Sequence, residues 1–144
     1  MTSLPAHIRV HRLHGFAMAL RIEAVRDVGL LDAASFPTGH GVETDLSMRL
    51  RSAGYELAVV PDAFVWHARS GSTSDLLRVR GVLRSRRTLR RRYGPASLRT
   101  VNEATRRALA LPDLRESLAA RLTAHKVDGP PGLSEPTSAR PVPG

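Results

Sequence analysis

With 144 residues, 42% hydrophobic content and a formal net charge of +9, the chain has the length of one domain and enough apolar side chains for a core. The absence of cysteine excludes disulfides, thiolate zinc sites and cysteine nucleophiles, so a metal would have to sit on His, Asp or Glu. Apolar runs such as Ala58–Val60 and Ala63–Trp66 are far too short to cross a bilayer, which sets the expectation of a soluble, cytoplasmic protein that at most touches the inner face of a membrane.

Residues 1 to 12 have no clear period, although Ile8, Val10 and Leu13 fit the end of an edge strand. The short apolar run Gly15–Leu20, followed by Arg21, suits a buried strand. A short helix is expected from Glu23 to Val28, stopped by Gly29. Leu30–Val42, with Asp32, Pro37, Gly39 and Gly41, reads as a turn-rich loop of the kind that lines sites. Leu46, Leu50 and Ala53 share one face of a second helix, which Thr44 or Asp45 can cap and Gly54 closes, so that Glu43 stands at its N-terminus.

Tyr55–Val60 and Ala63–Trp66 read as two strands, or one strand broken at Pro61 and Asp62, with His67 at the strand end. Beyond Gly71 the pattern is helical to Tyr93, breaks at Gly94 and Pro95, resumes from Ser97 to Leu111, and allows a further helix from Pro112 to His125. After Val127 the Pro, Gly, Ser and Thr content predicts a disordered tail. Charge is segregated along this order. Positions 78 to 92 hold eight arginines and no acid, while Glu23, Asp27, Asp32, Glu43, Asp45, Glu56 and Asp62 lie between residues 15 and 65.

Four short patterns follow one another: Val28-Gly29-Leu30-Leu31-Asp32, then Val42-Glu43-Thr44-Asp45-Leu46 with Arg49, then Ala53-Gly54-Tyr55, then the stretch from Val60 to His67. This order resembles the second, acceptor-side half of the family 2 glycosyltransferases of the GT-A fold, in which an acidic motif of the type Glu-Asp-x-Asp-Leu-x-x-Arg opens a helix. The resemblance covers about a third of the chain closely. Glu43 stands where many members have aspartate, and Val42 replaces the acid before it. It implies an α/β fold with a partial GT-A-like domain over residues 1–75, a basic helical extension over 76–126 and a tail over 127–144.

The implied chemistry is inverting transfer of a sugar from a nucleotide-sugar to a glycan or lipid-linked acceptor. Such a reaction needs a carboxylate to take the proton of the attacking hydroxyl, the role the resemblance gives to Glu43. Asp45 and Gly41 are then expected to contact the acceptor, with Asp45 alternatively holding the loop. His67 is expected to bind Mn²⁺ or Mg²⁺ against the donor diphosphate, together with carboxylates of an Asp-x-Asp motif in the family's first half. No Asp-x-Asp occurs in this sequence. The expectation is therefore a truncated product, a fragment from a misplaced start codon or a subunit that pairs with a separately encoded N-terminal half, inactive without that half and exposing a sheet edge and an apolar face.

Taken from the residues alone, Glu43, Thr44 and Asp45 also suit a helix's first turn, where acids complement the dipole. The arginine segment carries Val79, Val82, Leu83 and Leu89, so a basic amphipathic helix against an anionic membrane is one reading and a solvated charged face another. A noncatalytic basic module is the alternative function. Nucleic acid is disfavoured, because Tyr93 is the single aromatic residue of the arginine segment and no helix-turn-helix or zinc-finger pattern occurs.

Overall fold

A computed structural model describes residues 5–63, 65 and 75–128. The described elements are β1 (Ile8–Val10), α1 (Ile22–Val28), α2 (Val42–Ser52), β2 (Leu57–Val59), α3 (Asp75–Tyr93), α4 (Pro95–Ala108) and α5 (Pro112–Asp128). The fold is mixed α/β. Its one described sheet is the antiparallel pair of β1 with β2, in the register Ile8 to Val59, Arg9 to Ala58 and Val10 to Leu57.

Side-chain alternation explains that register. Ile8, Val10 and Leu57 are buried on the core face, while Arg9 points out to an exposed ion pair with Glu56 at 3.0 Å. Val10 and Leu57 join Ala24 of α1 and Leu46 and Leu50 of α2 in the main cluster, and Ala108 and Leu109 pack on it from the end of α4. The chain after β1 leaves the ladder and is tied down by hydroxyls instead. The His11 amide donates to Thr105 Oγ1 at 3.1 Å and the Leu13 amide to Ser47 Oγ at 3.0 Å.

Two helix ends show how glycine sets the architecture. At the end of α2, Gly54 takes φ 86°, the Gly54 amide donates to Arg51 O and the Tyr55 amide donates to Leu50 O, so both bonds of a Schellman turn are made. At its start Gly41 takes φ 81° and is the N-cap. The expected caps, Thr44 and Asp45, lie one turn inside, where both amides donate to the Gly41 carbonyl at 3.1 Å. Their side chains are consequently free to be buried.

The run Gly15–Leu20, expected as a buried strand, is irregular and mostly exposed. Among the described residues it has no strand beside it, and its Ala and Met content gives little intrinsic preference for the extended form. Ala63 and Val65 carry no strand either, and Phe64, Trp66 and His67 lie outside the described residues, as do residues 129–144 of the expected tail. The fourth helix starts at Pro95 in the N1 position, two residues before the expected Ser97, because the fixed φ of proline suits a first helical residue. Helix α5 runs on to Asp128.

Helix α3 packs closely on the loop between α1 and α2, and its sequence shows how. Gly81, Ser85 and Leu89 recur every fourth residue and are buried together. A Cβ on Gly81 would stand 2.7 Å from Thr38 Oγ1 and 3.1 Å from Thr38 Cβ, and one on Gly41 would stand 3.2 Å from Ser85 and Leu89. The contacts of α3 and α4 with α2 and β1 cross the expected division near residue 75.

Gly81→Ala should therefore lower stability by ~1–3 kcal/mol through overpacking, against the ~1 kcal/mol that alanine gains as a helix former. Adding Thr38→Ala should recover most of that loss in urea unfolding. An unfolding midpoint raised by Gly81→Ala alone would show that the helix and the loop do not need this close approach.

Candidate functional site

The first turn of α2 carries two carboxylates with opposite fates. Asp45 is fully buried, at 0% exposure. Its Oδ2 accepts from Arg49 Nε at 2.9 Å, and its Oδ1 accepts from Arg92 Nη1 and from the Tyr93 hydroxyl, each at 2.7 Å. A carboxylate removed from water needs this density of donors to remain ionised.

Each donor also reaches a second element. Arg49 Nη1 donates to the carbonyls of Val28 and Gly29, and Nη2 donates to Leu30 O at 2.9 Å, so the guanidinium closes the C-terminal end of α1. Arg92 Nη2 donates to Asp32 Oδ2 at 2.7 Å and to Ser35 Oγ at 2.6 Å, and its guanidinium lies 5.6 Å above the buried Phe36 ring. The Ser35 amide in turn donates to Asp32 Oδ1 at 2.9 Å. One network thus joins α1, the following loop, α2 and the last turn of α3.

The electrostatics follow from these bonds. Burial pushes the Asp45 carboxyl up, but hydrogen bonds from Tyr93, Arg92 and Arg49 outweigh it and hold the group below the usual range. Asp32 is held down to about 2, first by the Ser35 amide and then by Arg92. Tyr93 is pushed up to about 12 by burial and by its bond to the Asp45 carboxylate.

Glu43, two residues before Asp45, is half-buried, and among the described residues its carboxylate has neither hydrogen bond nor ion pair. The backbone of Gly15 lies against it, since a Cβ there would stand 3.5 to 3.8 Å from the Glu43 side chain. Ser47 sets that approach, because its Oγ accepts from the Leu13 amide and donates to Glu43 O at 2.7 Å. Glu43 thus projects from a fixed backbone turn beside a glycine, with the lone pairs of its carboxylate unengaged among the described residues.

The other expected site residues divide accordingly. Asp45, expected at the acceptor or holding the loop, is enclosed by its three donors, one of which, Arg92, ties it to Asp32 and Ser35 of the loop. Gly41 is pressed between Phe36, Ser85 and Leu89. His67 lies outside the described residues, and among the described residues no group of three His, Asp or Glu side chains converges to hold a metal. Asp32 and Asp45 already face arginines, so a divalent cation would need ligands from elsewhere. Arg49, Arg92 and Tyr93 were not expected as partners of the acidic turn. The sequence signal was present in the i, i+4 spacing of Asp45 and Arg49, but nothing in the sequence marks Arg92 off from its seven neighbouring arginines.

Loss of the Asp45 charge leaves Arg49 without a carboxylate partner and Arg92 with Asp32 alone. Asp45→Asn should cost ~3–5 kcal/mol of unfolding free energy, while Glu43→Gln should change it by less than ~0.5 kcal/mol.

A carboxylate depressed on folding contributes stability above its unfolded value and loses it as pH falls through the folded one. Stability should accordingly drop between pH 3.8 and about 2, and Asp32→Asn should flatten that drop. The raised Tyr93 group acts in the opposite sense, with stability lost between pH 10.0 and about 12 and that loss reduced in Tyr93→Phe. Urea unfolding across these two windows checks both signs.

Comparison of the chain with family models, with curated proteins and with solved structures finds no match, so its function has to be argued from the site itself.

Proposed function

We propose that the chain is the acceptor-side part of a nucleotide-sugar-dependent glycosyltransferase in which Glu43 is the general base. The observation that carries the reading is the contrast within one helical turn, where Asp45 is saturated by Arg49, Arg92 and Tyr93 while Glu43 has no described partner. A base must keep a lone pair open towards the proton it removes and must be held still while doing so. Glu43 meets the first condition because its carboxylate accepts no described hydrogen bond, and Ser47, bonded to the Glu43 carbonyl and to Leu13, fixes the backbone turn from which that side chain projects. Inversion then consists of attack by the acceptor oxygen on the anomeric carbon, departure of the nucleoside diphosphate, and transfer of the hydroxyl proton to Glu43.

In this reading the donor site is completed by another polypeptide segment. Phe16, Ile22 and Leu30 are exposed at 51%, 54% and 77%, apolar surface of the kind that a further layer of an α/β domain would cover. His67 and carboxylates from that segment are the proposed ligands of Mn²⁺ or Mg²⁺. Among the described residues no helix is long and apolar enough to cross a membrane, so contact with a lipid-linked acceptor would be peripheral.

A second reading, a noncatalytic basic module on an anionic membrane, is favoured by one observation. Arg80, Arg84, Arg87 and Arg91 form an exposed stripe along α3, with Val79 and Leu83 exposed beside it.

Glu43→Gln in the enzyme joined to its complementing half should reduce transfer by about 10²–10⁴, with the unfolding midpoint unchanged. Full turnover in that variant would defeat the assignment. Salt-sensitive vesicle binding that ignores Glu43 and depends on the arginine stripe would favour the second reading.

A further inference from the structure

The inner edge of the arginine helix forms a cleft that takes in two arginines of the exposed stripe, Arg84 and Arg91. Ala34 and Ser35 of the loop face Arg84, Thr88, Arg91 and Arg92 of α3 across a concave space of about 540 Å³. Arg84, Thr88 and Arg91 fall at i, i+4 and i+7 and so project from one side of the helix.

The charges around this cleft do not cancel. Arg92 at its floor is neutralised within the network of Asp32, Asp45 and Arg49. That network contains two carboxylates and two guanidiniums, and it holds Arg92 in place without adding net charge. Arg84 and Arg91 are exposed and, among the described residues, have no acidic partner. The cleft is therefore bordered by two uncompensated positive charges carried on one helix. Ser35 Oγ accepts from Arg92 and also hydrogen-bonds the Asp32 carboxylate, so the loop wall belongs to the same network.

We propose that this cleft is a phosphoryl-binding site for a dianionic phosphate monoester or diphosphate group. Two guanidiniums offer planar pairs of N–H donors that match phosphate oxygens in both charge and geometry. A single carboxylate would leave one of the two charges unmatched. The space exceeds that of one phosphate group and suits a diphosphate or a phosphate with its ester substituent. The site stands on the arginines and the loop alone and does not depend on the glycosyltransferase reading.

The same chemistry can be offered by a soluble phosphate compound or by a lipid headgroup, and the experiment separates them. The full chain is titrated calorimetrically with inorganic pyrophosphate, and in parallel with phosphatidylcholine vesicles that contain or lack phosphatidic acid. Saturable one-to-one pyrophosphate binding is expected, weakened by about tenfold or more in Arg84→Gln/Arg91→Gln, since charge-assisted hydrogen bonds are lost. The control Arg86→Gln/Arg90→Gln removes the same charge from the other side of α3 and should leave that affinity within about twofold, because exposed charges act only weakly through salt solution. Circular dichroism of both variants checks that the helix persists.

Pyrophosphate that displaces the protein from phosphatidic acid vesicles identifies the headgroup as a ligand of the cleft. Saturable pyrophosphate binding without displacement identifies a soluble one. Equal weakening in the two double variants would show diffuse attraction to the whole helix and overturn the proposal, as would the absence of saturable pyrophosphate binding.

Discussion

The Asp45 carboxylate is the constraint around which the described structure is arranged. An ionised group at 0% exposure has lost its water and can be tolerated only where protein donors replace that hydration. Its three donors come from its own helix and from the far end of α3, some 47 and 48 residues along the chain. The same arginines bind the end of α1 and the Asp32 turn. None of these elements can be displaced without exposing a charge of one sign or leaving a charge of the other sign buried. Such a network specifies an arrangement more than it strengthens it, since buried ion pairs return little beyond their desolvation penalty.

Close approach of backbone supplies the complementary constraint. Gly41 and Gly81 allow the loop and α3 to meet at distances that a side chain would forbid. That proximity brings the last turn of α3 within reach of Asp45. The hydroxyls of Ser47 and Thr105 anchor the segment after β1, where sheet bonds are no longer available. Small side chains and short polar bonds therefore position what the modest cluster of Val10, Ala24, Leu46, Leu50 and Leu57 cannot fix alone.

Residue types that look equivalent in the sequence receive different tasks from this arrangement. Of the two acids in the first turn of α2, one is enclosed by two arginines and a tyrosine, and the other is half-buried without a described partner. The arginines of α3 divide in the same way. Arg92 is tied to two carboxylates, Arg84 and Arg91 border a cleft, and Arg80 and Arg87 complete an exposed stripe. Chemistry becomes available where the packing leaves charge unmatched.

Much of the local structure was legible in the sequence because local physics decides it. Gly29, Gly54 and Gly94-Pro95 end or start helices through conformations that only those residues adopt readily, and the sequence placed those boundaries closely. The position of Glu43 in the first turn of α2 was equally readable. The irregular path of Gly15–Leu20 is not legible in the sequence, because whether an apolar stretch becomes a strand depends on a neighbouring strand to pair with rather than on its own composition. Which of Glu43 and Asp45 is buried, and which of eight arginines turns inward, was settled by tertiary structure alone. Burial of a charge is a property of the donors that surround it, and those donors come from residues far apart in the chain.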